Sequence, residues 1–314
     1  SQLLAKMNTK ATNGLQRLKK NGNGSAFSSA LLQDDIQNLT KFYQREGFLD
    51  AVISISDLSK NDNKKRVKVT LSVNEGAPVI VDTLQFKIMD RHDQAPILSI
   101  TDAVKKKILL GLGKRFRDLD LQHDLSALYK EMVNNGFPHA EISHTLSVNI
   151  ERHRVTVVFI IKSGAAAYFG GVTFRGNENI PNSLIKKQLA FQTGDVFKRN
   201  LLDASQQRIY SLNAFRIINV LATVENDSQT VIPIRVNVIE LPRFTTKLGI
   251  GWGTEDHFRS SLDFGWGRFL GGARRLNIFL KHSKLEPYHA KIGLRQPAFL
   301  SPETGIGATV FIRK

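Results

Sequence analysis

One order of segments recurs along this chain, and the recurrence limits its fold more than any other feature. Strand-like alternation from Val79 to Met89 is followed by helical spacing near Ile100–Leu110 and Asp120–Asn134. Strand patterns then come at Ala140–Val148 and Arg154–Ile161. The order strand, helix, helix, strand, strand returns downstream. Val172 and Phe174 mark a half-buried strand, Pro181–Ala190 and Asn200–Leu212 read as helices, and Ile217–Val224 and Val231–Ile239 read as strands. Upstream, Ser29–Glu46 puts Leu31, Leu32, Ile36, Leu39, Phe42 and Tyr43 on one stripe and stops at Gly47, a residue suited to a left-handed cap. Ala51–Ile55 and Val67–Val73, joined by the polar loop Ser59–Lys65, read as a hairpin. Before them, Leu3, Leu4, Met7, Leu15 and Leu18 lie at helical spacing within Ser1–Lys20. This first unit lacks an opening strand, so the natural chain is expected to extend upstream of Ser1.

Two kinds of punctuation hold the register. Each second helix is followed by a small residue and an aromatic: Gly47-Phe48, Gly136-Phe137 and Ala214-Phe215. Each last strand is followed by a related exit, at Asn74–Pro78, Lys162–Ala166 and Ile239–Pro242. A repeat of this length means modular units. The predicted divisions are 1–78, 79–166 and 167–242, with a different kind of segment over 243–314. In the third unit the phrase Phe169–Pro181 joins strand to helix: Gly176-Asn177 suits a positive-φ turn, Asn179 is a candidate N-cap, and Pro181 suits the first helical turn.

From Arg243 the helical stripes stop, and segments of about nine to eleven residues alternate apolar and polar, as membrane-spanning strands do. Phe244, Thr246, Leu248, Ile250 and Trp252 fall on one side, with Thr245, Lys247, Gly249, Gly251 and Gly253 on the other. Phe258, Leu262, Phe264 and Trp266 oppose Arg259, Ser261, Asp263 and Gly265. Tyr288, Ala290, Ile292 and Leu294 form a further apolar side, and Ile306, Ala308, Val310 and Ile312 another. Leu276–Lys281 is less regular because Phe279 falls on its polar side. Trp266, Phe269 and Tyr288 lie near strand ends, where aromatic girdles meet the lipid interface. Leu248, Ile250, Leu262, Phe264 and Trp266 are accordingly expected to face lipid. A soluble sandwich or barrel would also alternate with period two.

The phrases "GGVTFRGNENIP" and "FKRNLLDASQQRIYSLNAFRIINV" resemble the POTRA module of the Omp85 family of outer-membrane assembly proteins. The following "KLGIGWGTEDHFRSSLDFGWGRFLGGARRLNIFL" resembles the opening strands of that family's barrel. The resemblance implies an α+β fold of tandem β-α-α-β-β POTRA modules, followed by antiparallel transmembrane barrel strands that make only part of a barrel here. It implies an outer-membrane protein with periplasmic modules that receive unfolded outer-membrane or secreted polypeptides by β-augmentation, and with a barrel that inserts or translocates them. Outer-membrane lipid and accessory assembly subunits at the modules are further implied partners; no cofactor is implied. The first barrel strand, from Thr245 through Lys247, Leu248, Gly249, Ile250, Gly251 and Trp252 to Gly253, would be the lateral gate where a client strand is accepted. A polypeptide-secretion pore of the same family is one alternative. A soluble basic adaptor for nucleic acid or acidic protein is the alternative from a different class.

Charge does not choose among these: 44 Lys and Arg against 28 Asp and Glu leave a net +16, suited to any anionic neighbour. The aromatics, however, sit in strand alternation or helix stripes rather than interleaved with basic residues on one surface, so no nucleic acid is expected. There is no cysteine, hence no disulfide and no thiol nucleophile. The eight histidines include no helical pair with an intervening glutamate suited to metal. Gly111–Lys114 matches the end of a phosphate loop, but Ile108 stands where the first glycine belongs and Arg115 replaces the magnesium-binding hydroxyl. Neither catalytic nor metal residues are predicted. The chain contains no apolar run of about 18 residues, so a membrane span must be β.

Overall fold

The structure, a computed structural model, describes residues 7, 28–61, 66–89, 94–255 and 257–314. The helix expected in Ser1–Lys20 lies outside the described residues, apart from Met7. The chain forms two compact units, residues 1–131 with 141–162, and residues 132–140 with 163–314.

In the first unit, α1 (Ser29–Arg45) opens on Ser28, whose hydroxyl accepts from Leu31 N, and buries Leu32, Leu39 and Tyr43. That stripe packs with Ala51 and with Ile53 of the two-stranded antiparallel sheet that follows it, β1 (Val52–Asn61) and β2 (Arg66–Asn74). A full α+β layer follows, made of β3 (Ile80–Ile88), α2 (Gln94–Lys105), α3 (Asp118–Asn134), β4 (Glu141–Asn149) and β5 (Arg154–Lys162). The strand order is β3-β5-β4, with β5 parallel to β3 and antiparallel to β4. Central β5 buries alternate residues Val155, Val157, Phe159 and Ile161, as a sheet covered by helices on one face requires.

The sequence places the first helix of this layer at Ile100–Leu110, but α2 ends at Lys105. The reason is Asp124, fully buried on α3, whose carboxylate accepts from Leu109 N (2.8 Å) and Leu110 N (2.9 Å). Those amides are held by a side chain instead of continuing a helical ladder. Glu46 at the end of α1 takes Arg117 at 3.0 Å and Arg115 at 3.3 Å, and the Arg115 guanidinium lies 4.9 Å from the Phe48 ring centre.

The second unit contains β6 (Tyr168–Arg175), α4 (Asn182–Lys186), α5 (Arg199–Ser211), β7 (Phe215–Ala222) and β8 (Val231–Glu240), in strand order β6-β8-β7. Its core gathers Phe169, Ile185, Phe197, Leu202, Ile209, Val220 and alternate residues of β8. Register slips between Phe169 and Val172, so Gly170 and Gly171 form an irregularity in β6. A Cβ on Gly170 would lie 3.0 Å from Ile232 O, which explains a glycine there. Here too the first helix is shorter than the sequence suggests. It ends after one turn because Ala190 N donates to Ser205 Oγ (2.8 Å) on α5, the same device as Asp124. Asn179 does not cap it either: Pro181 holds the cap position without a side-chain bond, and Asn179 is bound to Glu240. Gly176 does adopt positive φ, at 85°.

After β8 the chain makes a five-stranded antiparallel meander: β9 (Phe244–Gly253), β10 (His257–Gly267), β11 (Arg275–His282), β12 (His289–Pro297) and β13 (Gly305–Arg313), paired in sequence order. Residues directly opposite share a face. The register therefore aligns Leu248, Leu262, Leu280 and Ala290 across four strands, and Lys247, Asp263, Phe279 and Lys291 on the other face. Phe279 does lie among the polar side chains, edge-on to the His289 ring at 5.4 Å.

At each exit one backbone bond recurs. Val79 N donates to Gly47 O, Ala167 N to Gly136 O, both at 2.8 Å, and Leu241 N to Ala214 O at 2.9 Å. Phe116 N closes on Val79 O, and Phe197 N on Ala167 O. The small-plus-aromatic punctuation is thus a joint, in which Gly47 at φ 92° and Gly136 at φ 99° occupy a left-handed backbone.

Candidate functional site

The candidate residues lie on β9, the first strand of the meander, reached from β8 through Leu241–Arg243. It pairs along its length with β10, from Phe244 opposite Trp266 to Gly253 opposite His257. Among the described residues no strand pairs with its other edge. Leu248 is 77%, Ile250 81% and Trp252 72% exposed, so three large apolar groups stand clear on one face. Exposure on that scale in water is unusual for a contiguous patch.

Thr245, Lys247, Gly249, Gly251 and Gly253 occupy the opposite face. Thr245 Oγ1 accepts from Arg275 Nη2 at 3.2 Å, over Gly265. A Cβ on Gly249 would come within 2.5 Å of Ser261 Oγ, and one on Gly251 within 2.6 Å of Arg259 Nε. These glycines make room for side chains of β10 lying across β9. They also leave β9 with little side-chain packing on that face.

Leu262, Phe264 and Trp266 of β10 share the face of Leu248 and Ile250 and are half-buried. Leu262 stands between Leu248 and Leu280, and Phe264 opposite Thr246 and Ile278. Trp266 is at the end nearest β8, with its ring 5.7 Å from Phe244 and 4.9 Å from Phe269; the Arg243 guanidinium lies 5.4 Å from the Phe244 ring centre and 5.9 Å from that of Trp266.

One residue pair that sequence reasoning passed over fixes how β9 leaves the α+β layer. Glu240, at the end of β8, accepts from Asn179 N (2.9 Å), Asn179 Nδ2 (3.0 Å) and Ile180 N (2.9 Å), and also from Arg268 Nη1 (3.1 Å) in the β10–β11 turn. Arg268 donates again to Leu241 O. Burial pushes the Glu240 carboxyl up, but the bonds from Asn179 and Ile180 and the charge of Arg268 outweigh it, holding it below the ordinary carboxylate range. A second tie runs from Arg208 on α5 to Glu303 at 2.9 Å. The signal for Glu240 was its position in an exit otherwise free of charge, Ile239-Glu240-Leu241-Pro242.

Among the described residues no group of three or more His, Asp or Glu side chains is placed to hold a metal ion. Among the described residues no helix is long and apolar enough to cross a membrane, which says nothing of strands.

The model of the POTRA family, described as a surface antigen variable number repeat, matches residues 2–76 and 167–240. The layer between them has the same strand arrangement, its first strand parallel to the last and at the sheet edge. The chain is similar to the outer membrane protein assembly factor BamA of Neisseria meningitidis, 19% identical over 286 residues, 91% of this chain and 35% of that protein. It is also similar to BamA of Buchnera aphidicola, 16% identical over 287 residues, 91% of this chain and 45% of that protein. The crystal structure of Haemophilus ducreyi BamA lacking POTRA domains 1–3 superposes with a TM-score of 0.59 at 15% identity, covering 74% of this chain and 42% of that one. The chain thus spans less than half the length of these curated relatives. A repeated POTRA match, the same topology in the intervening layer and an antiparallel meander after the last module together make this an Omp85/BamA-like chain over the length it covers.

Proposed function

We propose that this protein takes unfolded outer-membrane or secreted polypeptides through its POTRA modules and delivers them to a seam at β9, where a client strand is added to the sheet edge. In this reading the modules run over 1–78, 79–166 and 167–242 in the periplasm, and the strands of 243–314 stand in the outer membrane with Leu248, Ile250, Leu262, Phe264 and Trp266 toward lipid. Accessory assembly subunits dock on the modules. The observation that supports the reading is that β9 follows the last module directly and carries Gly249 and Gly251, which leave one of its faces with little side-chain packing and lower the cost of opening a strand pair. Unpaired backbone groups are costly in lipid, so an incoming strand is favoured there. Edge strands β4 and β7 of the modules offer the same backbone pairing to an extended chain in water, with little regard for its sequence.

The absence of cysteine makes the test direct. A single cysteine at Thr245 or Gly249 is combined with cysteines scanned along the terminal strand of a client during assembly. Disulfides that recur at every second client residue support strand addition at β9. Efficient client assembly with no crosslink at this strand overturns it.

A further inference from the structure

We infer that the polar face of the meander carries a cationic recess that binds an acidic stretch of polypeptide, at a place distinct from the β9 seam. The recess, about 620 Å³, lies across β11, β12 and β13 and is lined by Arg275, Asn277, Lys291, Arg295 and Thr309, with Leu212 and Asn213 at one end. Such a volume suits a few residues of a bound chain.

Three observations give it an anionic occupant. First, Arg275 stands directly opposite Arg295 in the β11–β12 register. Like charges at directly opposed positions destabilise a sheet, so this pair costs the fold unless an anion lies between them. Second, no described residue neutralises either of them. Among the described residues Arg275 donates to the neutral oxygens Thr245 Oγ1 and Asn277 Oδ1, and no carboxylate lies within ion-pair distance of Arg275, Lys291 or Arg295. Two described carboxylates belong to this face: Asp263, two strands away from Lys291 in the same cross-strand row, and Glu286 at its far end, already held by Lys281 at 2.6 Å. Third, Gly293 faces Thr309 and Arg295 faces Gly307, so the floor between the cations is low and a backbone can approach it.

The chemistry favours carboxylates on an extended chain. Guanidinium groups pair carboxylates in a two-pronged fashion. Lys291 and Arg295 are four residues apart on one face of β12, roughly 13 Å at strand rise. Side chains four apart on an extended peptide have the same spacing and the same side. A chain with Asp or Glu at positions i and i+4 therefore meets both cations at once, and Arg275 adds a second fork beside Arg295. A lipid headgroup fits poorly, because the recess is on the face opposite Leu248, Leu262 and Leu280.

The test uses the full chain in neutral detergent and fluorescence anisotropy of labelled decapeptides. One carries Glu at every fourth position in a Ser/Thr background, and its counterpart carries Gln there. The expected result is binding of the Glu peptide at least tenfold tighter than the Gln peptide, weakening with salt. Lys291→Ala with Arg295→Ala should lower affinity at least tenfold, while Lys130→Ala, an exposed site on α3, leaves it unchanged. Circular dichroism checks folding. If the double variant does not fold, Arg295→Gln alone is read, with about a threefold to tenfold loss supporting the assignment. Equal binding of Glu and Gln peptides, equal loss on Lys130→Ala, or full competition by inorganic phosphate or anionic lipid vesicles at the peptide's own concentration would overturn it.

Discussion

Arg268 in the β10–β11 turn meets Glu240 at the end of β8 at 3.1 Å, with side chains only 18% and 10% exposed. The same carboxylate holds Asn179 N and Ile180 N, so one half-buried group ties the approach to α4, the last strand of the module and the first hairpin of the meander together. Glu240→Ala should destabilise this unit by about 3 kcal/mol, because two amides and a guanidinium lose their acceptor at once. Denaturant unfolding followed by hydrogen exchange at Asn179 and Ile180 measures it.

The same contact sets an acid limit. The folded Glu240 carboxyl titrates below its unfolded value, so its stabilisation is complete above the ordinary range near about 4.3 and disappears as pH falls through the folded value. Glu240→Gln should be less stable than wild type at neutral pH, with the difference shrinking on acidification. Thermal midpoints between pH 7 and the acid transition of both proteins check the sign.

Gly47 and Gly194 allow a paired comparison, since their φ angles are 92° and 93°. A Cβ at Gly47 would lie 2.1 Å from Phe116 O, whereas Gly194 faces open space. Gly194→Ala should cost about 1 kcal/mol, the strain of a left-handed residue, and Gly47→Ala clearly more. Unfolding midpoints of the two variants decide whether the joint is as closed as its geometry indicates.

Leu262 and Ser261 differ by one position and lie on opposite faces of β10. In a barrel-folding assay in bilayers, Leu262→Arg should cost about 2 to 4 kcal/mol and Ser261→Arg far less. Equal tolerance would contradict lipid contact at Leu262.

Asp124→Ala should cost about 2 kcal/mol by leaving Leu109 N and Leu110 N without an acceptor, and Ser205→Ala somewhat less, since one amide is affected. Calorimetry of the two variants, read against a surface control, gives the ranking.

The repeat was legible because its signals are local. Alternation in Arg154–Ile161 and Val231–Ile239 gave the central strands, and the Gly-Phe punctuation marked the ends of α1 and α3. The meander was legible for the same reason, down to the odd placing of Phe279. What could not be read depends on partners far along the chain. Helices α2 and α4 stop early because Asp124 and Ser205, both 15 residues from the amides Leu109 N and Ala190 N, capture those groups. Asn179 leaves its capping role because Glu240 lies 61 residues away in sequence but beside it in space. The cationic recess also emerges only from register, since Arg275 and Arg295 oppose each other by pairing and not by spacing.

The recurring bond from Val79 to Gly47, Ala167 to Gly136 and Leu241 to Ala214 uses main-chain atoms alone. Whatever side chains drift on either side, the acceptor at each exit and the donor that follows it remain chemically interchangeable from one repeat to the next. A segment duplicated or deleted between two such joints would find a matching partner on each side, so a lineage can lengthen or shorten the array without redesigning its couplings. Variation in repeat number is then a neutral step for folding, and selection is left free to act on reach.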